Sequence, residues 1–80
     1  MSDLPPIQPW IDHLCAELGV DPNAVDLGAL LATSKDVAHH VDRPAVPITA
    51  FIVGLAAGQG ASVPQLSARA GELARGWQQP

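Results

Sequence analysis

Tyrosine is absent from this chain of 80 residues, and aromatic side chains make up only 4% of it. Its core must therefore be built from aliphatic and small side chains, which suits closely packed helices. There is one cysteine, Cys15, so no intrachain disulfide can form. Basic residues are equally scarce: four Lys and Arg stand against eight Asp and Glu, for a net charge of −4. Nucleic-acid binding calls for a basic stripe that neutralises many phosphates, and four scattered cations do not supply one. Charged residues total only 15% while 48% are hydrophobic, the reverse of a disordered composition.

Other absences bear on location and chemistry. The N-terminal residues up to Pro9 are proline-rich, with neither the basic region nor the apolar run of a signal peptide. With the lone cysteine, this leads us to expect a cytoplasmic protein. No glycine-rich dinucleotide fingerprint and no phosphate loop ending in Gly-Lys-Ser/Thr is present. Between Pro44 and Ala68 there is no charged residue. The dense apolar part of that stretch, Ile48 to Ala57, spans roughly 15 Å as a helix, too little for a bilayer. It reads as a buried core helix.

What remains is helical periodicity. Trp10, Ile11, Leu14, Cys15 and Leu18 fall on one stripe, predicting a first helix from Trp10 to Leu18 stopped by Gly19. Asp21-Pro22 reads as a cap followed by proline at the first position of a short turn, and Asp26 as a second cap. Leu27, Leu30, Leu31, Ser34, Val37, Ala38 and Val41 predict a second helix ending near Arg43, before Pro44. A third, from Pro47 to about Ala57, is apolar on nearly every side and is expected to be central. Ile48, Phe51, Ile52 and Leu55 give it a bulky face. Ala50, Gly54 and Ala57 give it a small one, where a neighbouring backbone can come close. Gly54 and Gly58 fit a small-xxx-small pattern, read as close packing in a soluble bundle. Ser62, with Pro64 in the first turn, caps a fourth helix carrying Val63, Leu66, Ala70, Leu73, Ala74 and Trp77 on its apolar stripe. These elements predict a single all-α domain over residues 1–80. It is a compact bundle of about four helices around a central apolar one, with a proline-rich lead-in over 1–9 and a polar tail over 78–80.

The densest polar cluster is Lys35, Asp36, His39, His40, Asp42 and Arg43, at the end of the second helix. Asp36 and His40 are four apart, as are Lys35 and His39, so each pair shares a helix face. A carboxylate beside His40 would fix its tautomer or favour its charged form. Three readings follow: a solvated face, a site for an anion or a partner carboxylate with Arg43 as the forked donor, or acid–base chemistry at His39 or His40. Thr49 and Pro44 belong to the same candidate site, Thr49 being placed to hydrogen-bond backbone near the Arg43-Pro44 turn. No metal site is expected. His39 and His40 are adjacent, and His13 and Cys15 are two apart, so neither pair converges on one ion within a helix. Cys15 reads as a small core residue, and Trp10 and Trp77 as clasps holding the chain ends to the core.

The run from Asp36 to Gly58 resembles a small actinobacterial domain family of unknown function with the signature D-V-A-H-x-V-x-R-P-A-A-P-x-T-x-F-L-x-G-x-A-A-G. Val46 replaces the second alanine of the Arg-Pro-Ala-Ala-Pro run, and Ala50 stands where threonine is frequent. The resemblance implies a link to molybdenum-cofactor biosynthesis. Domains of this kind occur beside, or fused behind, the guanylyltransferase that makes molybdopterin guanine dinucleotide. That transferase opens with a Gly-rich nucleotide-binding segment that this chain does not have. The expected function is therefore a non-catalytic accessory or protein-interaction module of that pathway, with no cofactor of its own and a biosynthetic enzyme as partner. The alternative is a small-anion or cofactor-binding domain using the His39–Arg43 cluster.

Overall fold

The structure, a computed structural model, describes residues 6–78. It holds four α-helices and one 3-10 turn: α1 (Gln8–Leu18), η1 (Pro22–Ala24), α2 (Leu27–His40), α3 (Ala45–Gly58) and α4 (Val63–Arg75). Among the described residues there is no strand, and the expected all-α bundle of four helices is present. No helix among them is long and apolar enough to cross a membrane.

The ends of these helices follow from local chemistry. The Asp21 carboxylate accepts from the Asn23 N–H at 2.9 Å, and the Asp26 carboxylate from the Ala29 N–H at 3.0 Å. Both satisfy amide donors that a helix start leaves unpaired. The Ser62 hydroxyl does the same for Gln65 at 3.4 Å. Gly19 ends α1 in the left-handed region (φ 72°), while the Val20 N–H reaches back to the Cys15 carbonyl at 2.8 Å.

Three boundaries differ from the periodicity reading. α1 starts two residues early, with Pro9 inside its first turn, where its missing N–H costs nothing. α2 stops at His40, because the N–H groups of Val41 and Asp42 both turn back to the Val37 carbonyl. α3 begins at Ala45, with Pro47 absorbed in its first turn. The lead-in up to Pro5 and the tail beyond Gln78 lie outside the described residues.

The tightest contact is between α2 and α4. Thr33 and Val37 on α2 meet Ser67, Gly71 and Ala74 on α4, and all five are buried. Their spacings of three and four residues put each set on one helix face. Small side chains let the two backbones approach. The Thr33 hydroxyl seals the seam by donating to the Ser67 carbonyl across it, at 2.9 Å.

α3 lies against both α2 and α4, but its burial is the opposite of the expected one. Ala45, Val46, Thr49, Val53, Ala56 and Ala57 are its covered residues, and only Val53 is buried. Ile48, Phe51, Ile52 and Leu55, the bulky face expected to fill the core, are exposed. Gly54 has no neighbouring atom within 4 Å of where a Cβ would stand. With Ala50 and Ala57 it borders an open apolar groove of about 600 Å³ instead of a packed helix.

α1 stands apart from this three-helix body. Its Cα atoms come within 8 Å of η1 but not of α2, α3 or α4. Cys15 is buried, as expected of a small core residue. Trp10 and Trp77, expected to clasp the chain ends to the core, are both more than half exposed.

Candidate functional site

The polar cluster at the end of α2 does not hold together as a unit. Asp36, four residues before His40, turns to α4 instead and accepts from Arg75 Nη1 at 2.6 Å. A guanidinium offers a charge-assisted bond there, stronger than one to a neutral imidazole. Gly71 makes the approach possible, since a Cβ on it would lie 2.9 Å from the Asp36 carboxylate oxygen and 3.1 Å from Arg75 Nη1. Asp36 is therefore engaged in an interhelical ion pair with Arg75 and not with His40.

The rest of the cluster faces solvent. His39 and His40 occupy the last turn of α2, where cationic side chains favour the helix dipole. Both are exposed, as are Asp42, Arg43 and Pro44 in the turn to α3. The side chains of His39, His40 and Arg43 make no hydrogen bond or ion pair with the described residues. The turn is held by its backbone, with Ala45 N–H bonding to the Asp42 carbonyl at 3.1 Å and Val46 N–H to that of Arg43 at 3.0 Å. Arg43 is thus set on a rigid corner with its fork open. Thr49 lies elsewhere. With Val37, Val41, Leu73 and Trp77 it lines a shallow depression of about 200 Å³ between α2, α3 and α4, and its hydroxyl bonds nothing in the Arg43-Pro44 turn.

His13, Cys15, His39 and His40 come together nowhere, and the described residues contain no group of three His, Cys, Asp or Glu able to hold a metal ion.

Two features of the α2–α4 seam escaped sequence reading. Asp36, Thr33 and Arg75 line an open cleft of about 320 Å³ along it. At its base Ser67 Oγ is buried without a hydrogen-bond partner among the described residues. The Asp36–Arg75 pair is 39 residues apart in the chain, beyond any helical spacing rule. The glycine at 71, inside an otherwise good helix former, is the one local sign of a close approach.

Fold and site together define a small all-α domain with a polar corner, an interhelical ion pair and a large exposed apolar surface. The model of the DUF6457 family, a domain of unknown function, matches residues 2–80, and the chain belongs to that family. Neither a curated protein nor a solved structure matches it.

Proposed function

We propose that this domain is a non-catalytic accessory module that docks onto an enzyme of molybdopterin guanine dinucleotide biosynthesis in the actinobacterial cytoplasm. The observation that carries the interaction role is the α2–α3 corner. His39, His40 and Arg43 are exposed there on a backbone-braced turn, their polar groups uncommitted within the described chain. A planar guanidinium held this way suits a partner carboxylate, which it grips through two parallel bonds. The pathway is supported by the likeness of Asp36–Gly58 to domains found beside, or fused behind, the guanylyltransferase. Asp36 drops out of the contact surface, which becomes His39, His40, Arg43 and the Pro44–Pro47 segment.

The immobilised domain, used as bait, should retain the guanylyltransferase, and Arg43→Ala should release most of it. Equal retention by the two would remove the corner from the interface, and no retention by either would overturn the partnership. Calorimetry of the chain alone with inorganic phosphate or a pterin tests the competing reading, in which the same corner holds a small anion.

A further inference from the structure

α3 presents to solvent the face that a free helix hides. Ile48, Phe51, Ile52 and Leu55 follow the i, i+3, i+4, i+7 spacing of one stripe, and each is 55% to 66% exposed. α1 and the residue that precedes it carry a second stripe in Ile7, Trp10, Leu14 and Leu18, which are 37%, 60%, 38% and 68% exposed. A helix of eleven residues does not hold its shape in water by propensity alone. Among the described helices and turns, η1 is the only one whose Cα atoms approach those of α1 within 8 Å, so the α1 stripe is the part of the fold with most to gain from a partner.

The area fits a dimer. A large aliphatic side chain removes roughly 60–120 Å² of apolar surface from water when fully buried, and a Phe or Trp roughly 150–250 Å². The eight side chains are 37% to 68% exposed, so together they still offer roughly 400–700 Å² per copy. A stable interface takes about 800 Å² from each partner, and homodimer interfaces are about 65% apolar. Neither helix alone comes near that size, but the two together match the apolar share of it.

Charge selects the occupant. The chain carries a net charge of −4, so two copies repel wherever their acidic surfaces meet. The segment 44–68, which contains all of α3, has no Asp, Glu, Lys or Arg. A second acidic copy can land there without a like-charge contact or a buried unpaired ion. A basic partner would find no carboxylate to pair with.

We propose that the domain is a two-fold homodimer in which α1 of each copy lies along α3 of the other. Trp10, Leu14 and Leu18 meet Ile48, Phe51 and Leu55. Each copy owns one arm and one seat, so a two-fold axis fills both and closes the assembly. The dimer does not rest on the accessory-module reading, because its surfaces leave out the His39–Arg43 corner.

The test is sedimentation velocity on the purified full chain from about 1 to 100 μM. The expected species has twice the 8.3 kDa of the monomer. Leu18→Glu in the arm and Phe51→Glu in the seat should each raise the dimer Kd at least about 30-fold. Both should keep the helical circular dichroism, since both side chains are exposed within one copy. Mixing the two variants leaves one of the two arm–seat contacts intact, so a weaker heterodimer should reappear that neither variant forms alone. A monomeric parent across the range overturns the proposal, even if hydrogen exchange shows α1 protected, because α1 would then be covered by its own chain. A Leu18→Glu variant that still dimerises like the parent, or a mixture that fails to associate, overturns the arm exchange. The purified chain is the only component, so each of these results is independent of whether an enzyme is retained on the bait column.

Discussion

Arg75 Nη1 donates to Asp36 Oδ2 at 2.6 Å across the face of Gly71, tying the last turn of α4 to the middle of α2. Half of the Arg75 side chain is exposed, against a quarter of Asp36. Solvent screening therefore keeps the pair to about 0.5–1 kcal/mol. Gly71→Ala sets two effects against each other. Alanine favours the helix by about 1 kcal/mol, while its Cβ must push the flexible ends of Asp36 and Arg75 apart. Net stability should then move by less than about 1 kcal/mol. The coupling between Asp36→Ala and Arg75→Ala, measured by a double-mutant cycle in denaturant, should be present in the parent and vanish in the Gly71→Ala background.

The α2–α4 seam contains one buried hydroxyl that is bonded and one that is not, and the two should respond oppositely. Thr33→Val keeps the shape of the side chain but removes its bond to the Ser67 carbonyl, at a cost of about 0.5–1.5 kcal/mol. Ser67→Ala removes an oxygen that has no partner among the described residues. It should leave stability unchanged or raise it by up to about 1 kcal/mol. Urea denaturation of both variants checks the pair. A Ser67→Ala loss as large as that of Thr33→Val would mean that the Ser67 hydroxyl is satisfied after all.

Gly54 distinguishes the observed packing of α3 from the expected one. Were its small face pressed against a neighbouring helix, any added side chain would overpack the contact. With nothing within 4 Å of its Cβ position and a place outside the Ile48–Leu55 stripe, Gly54→Ala should stabilise the chain. The gain is about 0.8–1 kcal/mol of helix propensity. Thermal melting reads the sign directly.

Much of this architecture was legible because local chemistry determines it. The caps at Asp21, Asp26 and Ser62, the stop at Gly19 and the stripe of α2 all depend on residues a few positions apart. The stripe of α4 was read only in part: Ala74 is buried, but Leu73 and Trp77 are exposed while Ser67 and Gly71, too small to register as apolar, carry the contact. α3 was legible as a helix but not in its orientation. A helix apolar all round carries no periodic signal for which side faces inward, and side-chain size pointed the wrong way. α2 and α4 already close on each other through small residues, which leaves α3 room to press only its own smaller side against them. The partner of Asp36 was missed for a related reason. Helical spacing identified the neighbours of Asp36 on α2, but the stronger partner, Arg75, arrives from another helix through a gap that Gly71 leaves open.

Arg43 carries the remaining functional expectation, and one variant separates its two roles. A structural arginine at this corner would bond the last carbonyls of α2 or brace the turn before Pro44. The turn is instead closed by backbone bonds, from Ala45 to Asp42 and from Val46 to Arg43, which do not involve the guanidinium. The Arg43 side chain has no partner among the described residues. Arg43→Lys should therefore leave the melting temperature unchanged, with a cost inside the roughly 0.5 kcal/mol typical of surface substitutions. Binding should respond differently. Lysine keeps the positive charge but loses the planar pair of donors that matches a carboxylate. If the corner grips a partner carboxylate, losing one of two parallel charge-assisted bonds should weaken the complex by about 1.5–3 kcal/mol, or roughly 10- to 150-fold in Kd. Melting and partner binding measured on the same preparation give the answer. A lowered melting temperature with unchanged affinity per folded molecule would assign Arg43 to the fold and move the contact surface elsewhere.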